Sequence, residues 1–338
     1  MKKKLGVING SSLKTSYGGV GPFIKNLDPF LQREYQVTYL NLPDWTQKLT
    51  IVPSRLMYVI YLIFNTSVLR RQDVLLSHVP EGSYVASFTA VPLVHIFHGN
   101  HNAMSQSRYW YGKYFMKIFD AFDTRIVKRA VRKYTVGKER ERIPKILNPI
   151  HHNIPVKDFG RRAGFIFAGR LEIIKNVDKI IKVYSRLSPE IKEKNKLFIA
   201  GEGTLKESLR NLVQVLGESE NVEFLGSLSN EALLEADSTK KILLMASSQE
   251  GLPMAIAEAL SLGVPVIATD TGDISRVLKS DYNGFLLPIE FQDQDYLDAI
   301  SRVLSDYARI AANALASAEI FKAESVARSL ISDINACC

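Results

Sequence analysis

Cysteine is almost missing from this sequence: its 338 residues include only Cys337 and Cys338, adjacent at the end of the chain. No disulfide framework can be built from such a pair, which points to a reducing compartment. A Cys-Cys end can be lipidated in some proteins, but here it reads as a frayed tail. Long apolar runs are also missing. The longest, Leu56–Phe64, has nine residues and is too short to span a bilayer. The opening MKKKLGVING has too short an apolar run for a signal peptide and leads directly into a strand. The expectation is a cytoplasmic protein, able to reach the cytosolic face of a membrane. Internal repeats and low-complexity tracts are absent. So is the spaced G-x-G-x-x-G of dinucleotide binders, which argues against a dehydrogenase. No motif of a nucleic-acid-binding fold occurs, so no nucleic-acid partner is expected. The only D-x-D, Asp293-Gln-Asp295, lies in a late surface segment, and no metal site is assigned to it.

What the chain does contain is ordinary for a soluble globular protein: 46% apolar and 23% charged residues, over a length suited to about two domains. Its charge is unevenly spread. Residues 1–160 carry 23 Lys and Arg against 10 Asp and Glu, a net +13, whereas the remainder nets −5. The first half also has two stretches mixing aromatic and basic residues, Trp45–Phe64 and Ser105–Tyr134, the latter helical in composition. Such mixing suits an anionic membrane surface or a solvated basic helix face.

The most informative stretch is Lys241–Asp270, KILLMASSQEGLPMAIAEALSLGVPVIATD. It reads as strand, loop, helix, strand. Lys241–Ala246 is a short apolar run suited to a buried parallel strand. Pro253 suits a first helical turn, and Gly263 stops the helix before a second strand, Val264–Thr269. Glu250 lies in the loop, and Glu258 about a turn and a half into the helix. In α/β folds the crevice at the carboxyl ends of strands holds ligands, and a helix N-terminus offers free N–H groups to an anion.

The Glu250-x7-Glu258 spacing followed by Ala-Leu-Ser-Leu-Gly-Val-Pro-Val-Ile-Ala resembles the signature of glycosyltransferase family four. Other stretches resemble that family in the same order. Gly18-Gly19-Val20-Gly21 follows the first strand, Lys4–Asn9. His98 follows a later strand, Leu93–Phe97, and Lys145–Pro149 looks like a short strand before an irregular linker, His151–Arg162. Gly169-Arg170-Leu171 with Lys175-Asn176, then Gly201-Glu202-Gly203, open the second half, and Asn283–Leu286 resembles a late hairpin-like turn. Arg276 stands where an acidic residue is common in the family.

The resemblance implies an α/β protein of the GT-B fold, with two Rossmann-like domains facing across a cleft. It divides the chain into 1–155 for the acceptor, 156–315 for the nucleotide sugar, and 316–338 as a terminal helix crossing back to the first domain. The implied activity is retaining transfer of a hexosyl unit from a UDP- or GDP-sugar to a glycan or lipid-linked acceptor, without cofactor or metal. Arg170 and Lys175 would stabilise the leaving diphosphate. Glu250 would contact the sugar hydroxyls, Glu258 the ribose, and His98 would position the sugar. Gly19, Gly21, Gly169, Gly201, Gly251, Leu252, Pro253 and Met254 would line the donor. Two rivals remain open: an epimerase or phosphorylase of the same fold, and a nonenzymatic protein that binds nucleotides or polyanions through its basic half.

Overall fold

A computed structural model of the chain describes residues 2–10, 20–42, 54–98, 112–136 and 142–337. They form two compact units, one of Met1–Pro149 with Lys322–Cys338 and one of Ile150–Phe321. The first contains β1 (Lys3–Asn9), α1 (Val20–Glu34), β2 (Tyr35–Asn41), α2 (Ser54–Phe64), α3 (Thr66–Leu69), β3 (Val74–Ser77), α4 (Pro80–Ala86), β4 (Leu93–His98), α5 (Gly112–Arg129) and β5 (Arg132–Val136). Its strands form a parallel sheet in the order β2-β1-β3-β4-β5. Both faces of that sheet are covered, as parallel sheets require. Val74 and Leu76 pack with Phe23, Ile24, Leu27 and Leu31 of α1, whereas Leu75 packs on the other face with Tyr58 and Leu62 of α2.

The second unit runs through β6 (Phe165–Ala168), α6 (Val177–Ser185), α7 (Pro189–Lys194), β7 (Leu197–Ala200), α8 (Lys206–Val215), β8 (Val222–Gly226), α9 (Asn230–Ser238), β9 (Ile242–Leu244), α10 (Met254–Ser261), β10 (Val266–Thr269), α11 (Ile274–Val277), β11 (Gly284–Leu287), α12 (Asp293–Ser305) and α13 (Tyr307–Ser317). Its strands are again parallel, in the order β11-β10-β9-β6-β7-β8. The chain adds β7 and β8 on one side of β6 and then reverses to place β9 on the other. The crevice between β6 and β9 is therefore the switch point where such sheets bind ligands.

The last helix, α14 (Ala323–Asn335), belongs to the first unit. Val326, Leu330 and Ile334 recur on one helical stripe and join the α1 core. Tyr35 Oη donates to Asn335 at 2.9 Å, and Tyr134 Oη donates to Asp333.

Several elements differ from expectation. The boundary expected at 155/156 falls at 149/150, and the one at 315/316 falls at 321/322. Backbone bonding accounts for the shift, because Ile150 N–H donates to the Phe321 carbonyl at 2.6 Å and closes the second unit on itself. The segment expected as a loose linker clamps α10: the buried Arg162 guanidinium donates to the carbonyls of Leu262 and Gly263 at 2.6 and 2.8 Å and lies over the Phe159 ring. Helix 105–134 is shorter than its composition suggests: α5 ends at Arg129, and Arg132–Val136 is the edge strand. Its Thr135 makes only an isolated bridge to Lys145, where a short strand was expected. Residues 99–111 of that stretch, and 43–53 of the earlier aromatic-basic one, lie outside the described residues. The hairpin-like turn at 283–286 is instead a turn followed by β11, which pairs parallel with β10. Asn283 makes the turn, with its side chain bonded to the Val277 carbonyl and the Lys279 N–H. Asp293 and Asp295 begin α12: Asp295 accepts the Gln292 N–H in a capping box, and Asp293 pairs with Arg186 at 2.7 Å.

Candidate functional site

The loops after β6 and β9 meet at the switch point of the second unit. Past β6 the chain runs Gly169-Arg170-Leu171 in an extended course beside the loop after β7. Gly169 N–H donates to the Ala200 carbonyl at 3.0 Å, and Leu171 N–H to the Glu202 carbonyl at 2.9 Å. Gly201 has φ +145, and a Cβ there would lie 1.8 Å from the Gly169 carbonyl oxygen. Only glycine permits that approach. Arg170, the next residue, is exposed and has no partner among the described residues.

A short 3-10 turn, Ile173–Lys175, then leads into Asn176, which is left-handed at φ 48 and ψ 42. Asparagine tolerates that conformation better than most residues. Its side-chain amide donates to the Ala246 carbonyl past the end of β9 at 2.9 Å. The Ser248 N–H donates back to the Ile174 carbonyl at 2.8 Å. With the two loops so fastened, Lys175 Nζ reaches Glu250 Oε1 in an ion pair whose side chains are only 13% and 11% exposed.

The Glu250 loop is held from a third side. Gly272, in the loop after β10, has φ +58, and a Cβ there would sit 2.3 Å from the Glu250 carbonyl oxygen and 2.4 Å from that of Gly251. The following Asp273 donates its N–H to the Gly251 carbonyl at 3.0 Å and faces Arg276 across 3.9 Å. Gly251, Leu252 and Pro253 are half-buried and lead into α10. Pro253 takes the N-cap position, one residue before the helix, because its ψ of 134 is extended; no side chain caps α10 there. Ile256 N–H already donates to the Pro253 carbonyl at 3.2 Å, so the N–H groups left open to an anion are those of Met254 and Ala255.

Glu258 follows one turn into α10 and is buried, with Oε1 accepting from Asn230 Nδ2 at 2.7 Å. Burial raises its carboxyl above the ordinary carboxylate value, and the Asn230 bond opposes that rise. Asp237 of α9 is fully buried, and neither of its oxygens is hydrogen-bonded. Burial first, and then the Glu258 charge, push it well above the carboxylate range. Of the two acids, Asp237 is pushed the further above the carboxylate range.

In the first unit, His98 ends β4, and its Nε2 lies 2.9 Å from Nδ1 of His78, which follows β3. Burial pushes His98 down to about 4, so it is neutral at neutral pH. Gly21 is buried in the first turn of α1 rather than in a turn ahead of it, and Gly19 lies outside the described residues. The structure thus joins Lys175 to Glu250 and the backbone of Gly169 to that of Gly201, and places Glu258 with Asn230. Sequence reading missed Asn230, Gly272 and the anchoring role of Asn176. Only Asn176, adjoining Lys175 in a motif, carried a signal that could have exposed it.

Residues 155–318 match the model of the glycosyl transferases group 1 family. A glycosyltransferase of Methanocaldococcus jannaschii, itself uncharacterized, is 29% identical over 42% of this chain and 36% of its own length. An α-1,4-N-acetyl-D-galactosaminyltransferase of Campylobacter jejuni, named for an undecaprenol-diphosphate-linked substrate, is 32% identical over 43% of this chain and 37% of its own. The matched segment thus spans little more than a third of these curated relatives. Among solved structures, sucrose-phosphate synthase from Thermosynechococcus elongatus superposes with a TM-score of 0.74 at 14% identity, over 99% of both chains. The HepE protein of Anabaena in complex with UDP does so with a TM-score of 0.69 at 16% identity, over 99% of this chain and 100% of its own. At these identities the superpositions show a common fold.

The Gly272 contacts generate a direct expectation. Gly272→Ala imposes left-handed strain of about 1–3 kcal/mol and drives a methyl group into the backbone of the Glu250 loop. Urea unfolding shows a loss of roughly 2 kcal/mol or more, while Ser275→Ala, on the exposed surface nearby, leaves the midpoint unchanged. An unchanged midpoint for Gly272→Ala would mean that the loop is not clamped.

Proposed function

Because the chain belongs to the group 1 glycosyl transferases, we propose that it moves a hexosyl unit from a nucleotide sugar to an acceptor with retention of configuration. The observation that carries this reading is the Lys175–Glu250 pair at the β6/β9 switch point, with Arg170 on the same loop as Lys175 and an uncapped helix following the Glu250 loop. The departing group in such a reaction is a nucleoside diphosphate, which gains negative charge as the glycosidic bond breaks. Arg170 and Lys175 oppose that charge, and the N-terminus of α10 adds its dipole. Lys175 carries three N–H donors, so it can keep Glu250 and still donate to a phosphate oxygen. Glu250 accepts from hydroxyls of the donor sugar, and Glu258, held by Asn230, accepts from the ribose. The expelled diphosphate takes the acceptor's proton, so no separate carboxylate base is required. These cations do the work of a metal ion, and the reaction is metal-independent. UDP in the Anabaena protein makes a uridine donor the first to try, with a guanosine donor second.

The acceptor in this reading is a glycan on a lipid carrier, and the enzyme works peripherally at the cytosolic face of a membrane. The supporting feature is α2, which leaves Leu56, Ile60, Ile63 and Phe64 exposed, from 44% to 83%. Their spacing puts them on one helical stripe, and the exposed Arg70 and Arg71 follow close behind. Such a helix can lie in the interface plane with its apolar side among the acyl chains. Among the described residues no helix is long and apolar enough to cross a membrane.

Transfer measured as acceptor-dependent release of nucleoside diphosphate tests the reaction. Arg170→Ala and Lys175→Ala each cut turnover by about a hundredfold, as for removal of one donor to a developing charge, and the native enzyme keeps its rate in EDTA. Full activity in both variants, or strict dependence on a divalent ion, would overturn this mechanism; diphosphate release without acceptor would mean transfer to water, and an isomerised nucleotide sugar without diphosphate release would favour an epimerase.

Co-sedimentation with vesicles tests the location. Binding to anionic vesicles weakens steeply with salt, because screening shortens the reach of exposed charges, and falls further when Ile60, Ile63 and Phe64 are all changed to Ser. Equal, negligible binding to anionic and neutral vesicles would point to a soluble acceptor.

A further inference from the structure

The histidine pair of the first unit contains a group that the reaction above does not use. His78 is 3% exposed, its Nδ1 contacts His98 Nε2 at 2.9 Å, and its own Nε2 is buried without a hydrogen-bond partner. Phe23 of α1 fixes the planes of both rings, standing edge-on to His78 at 5.6 Å and to His98 at 5.0 Å between centroids.

Two proton arrangements fit that contact. In one, His98 Nε2–H donates to His78 Nδ1, and the proton of His78 then sits on its Nε2 as a buried donor with no acceptor. In the other, His78 Nδ1–H donates to His98 Nε2, and the unpartnered atom is a bare lone pair. Orphaned buried N–H groups are rarer than under-satisfied acceptors, so the second arrangement is favoured. Burial holds both rings neutral, His98 down at about 4 and His78 well below its ordinary value. Each ring therefore carries one proton, and with Nε2 of His98 accepting, the His98 proton belongs on Nδ1. His98 is half-buried, and that Nδ1 has no hydrogen-bond partner among the described residues.

We propose that His78 is a positioning residue that fixes His98 in its Nδ1–H tautomer, so that His98 presents a neutral donor to a sugar hydroxyl or phosphate oxygen of the substrate. The substrate class rests on the transferase reading above, whereas the tautomer does not. The device follows from ring chemistry: which nitrogen carries the proton is set by the bond the other one makes. A neutral N–H donor suits an oxygen acceptor without adding a full charge to the site.

Long-range 15N–1H correlation spectra of the full chain labelled in histidine test the tautomer directly. In the ligand-free protein, His98 shows a protonated, pyrrole-type Nδ1 and an unprotonated Nε2. A His98 protonated on Nε2 overturns the proposal. In His78→Asn the side-chain amide takes the place of Nδ1–H, and the His98 pattern is kept. In His78→Phe the donor is gone, and the Nε2–H form appears; an unchanged His98 pattern in this variant would show that His78 does not set it. Should His78→Phe fail to fold, the native protein and His78→Asn still decide the matter. For transfer, His78→Phe lowers kcat/KM roughly tenfold, about one hydrogen bond's worth, and His78→Asn restores it. A His78→Phe enzyme with switched tautomer and native kcat/KM would overturn the role of Nδ1–H in binding. If no nucleotide sugar is transferred at all, the transferase reading fails while the spectra still settle the tautomer.

Discussion

The ion pair between Lys175 and Glu250 is the contact on which the rest of the second unit's site depends. Both side chains are nearly removed from water, and taking two charges out of water is expensive unless their geometry is enforced. Here the enforcement is visible in the backbone. Asn176 in its left-handed turn anchors one loop to the Ala246 carbonyl, Ser248 ties the other loop back to Ile174, and Gly272 lets the loop after β10 close on Glu250 from the far side. Each of these bonds crosses between loops that follow different strands of one sheet. The strand order, reversing between β6 and β9, brings those loops together.

The pair also explains how a cation and a carboxylate can both be held largely out of water. Each neutralises the other, and lysine's three donors leave it two beyond the one given to Glu250. Arg170 differs: it is exposed and unpaired among the described residues, so its planar guanidinium fork faces water. Glu258 differs again: it is buried and oriented by Asn230, and its charge adds to the burial that pushes Asp237 well above the carboxylate range. Three different environments for charged groups within one α/β unit follow from how deeply each residue is buried.

Much of this was legible in the sequence where motif and periodicity coincide. The strand-loop-helix-strand reading of 241–270 gave β9, α10 and β10 to within a few residues, because short apolar runs bounded by Gly and Pro are strong signals. A match of residues 155–318 to the group 1 glycosyl transferase model and two parallel sheets were expected from the same motifs, and both are found. What stayed hidden depends on partners distant in the chain. Gly272 lies in an unremarkable TGD sequence, and its need for glycine exists only because the Glu250 backbone passes 2.3 Å from where a Cβ would be. Arg162 looked like linker charge until the C-terminal carbonyls of α10 were seen beneath it. The contact of His78 with His98 was equally hidden, since nothing twenty residues before His98 announces that the two rings will touch. At Arg132–Val136, parallel pairing with β4 overrode a composition that favours helix.

Nucleotide binding at the β6/β9 crevice is most directly tested by thermal unfolding of the full chain with UDP and, separately, GDP. A ligand that binds only the folded state adds about 2.7 kcal/mol at a hundredfold excess over its Kd. The Tm of the native protein is expected to rise with one of the two nucleotides, and that rise is expected to vanish in Glu258→Ala, which removes the carboxylate proposed to hold the ribose. No rise with either nucleotide, or a rise that survives intact in Glu258→Ala, would contradict the site.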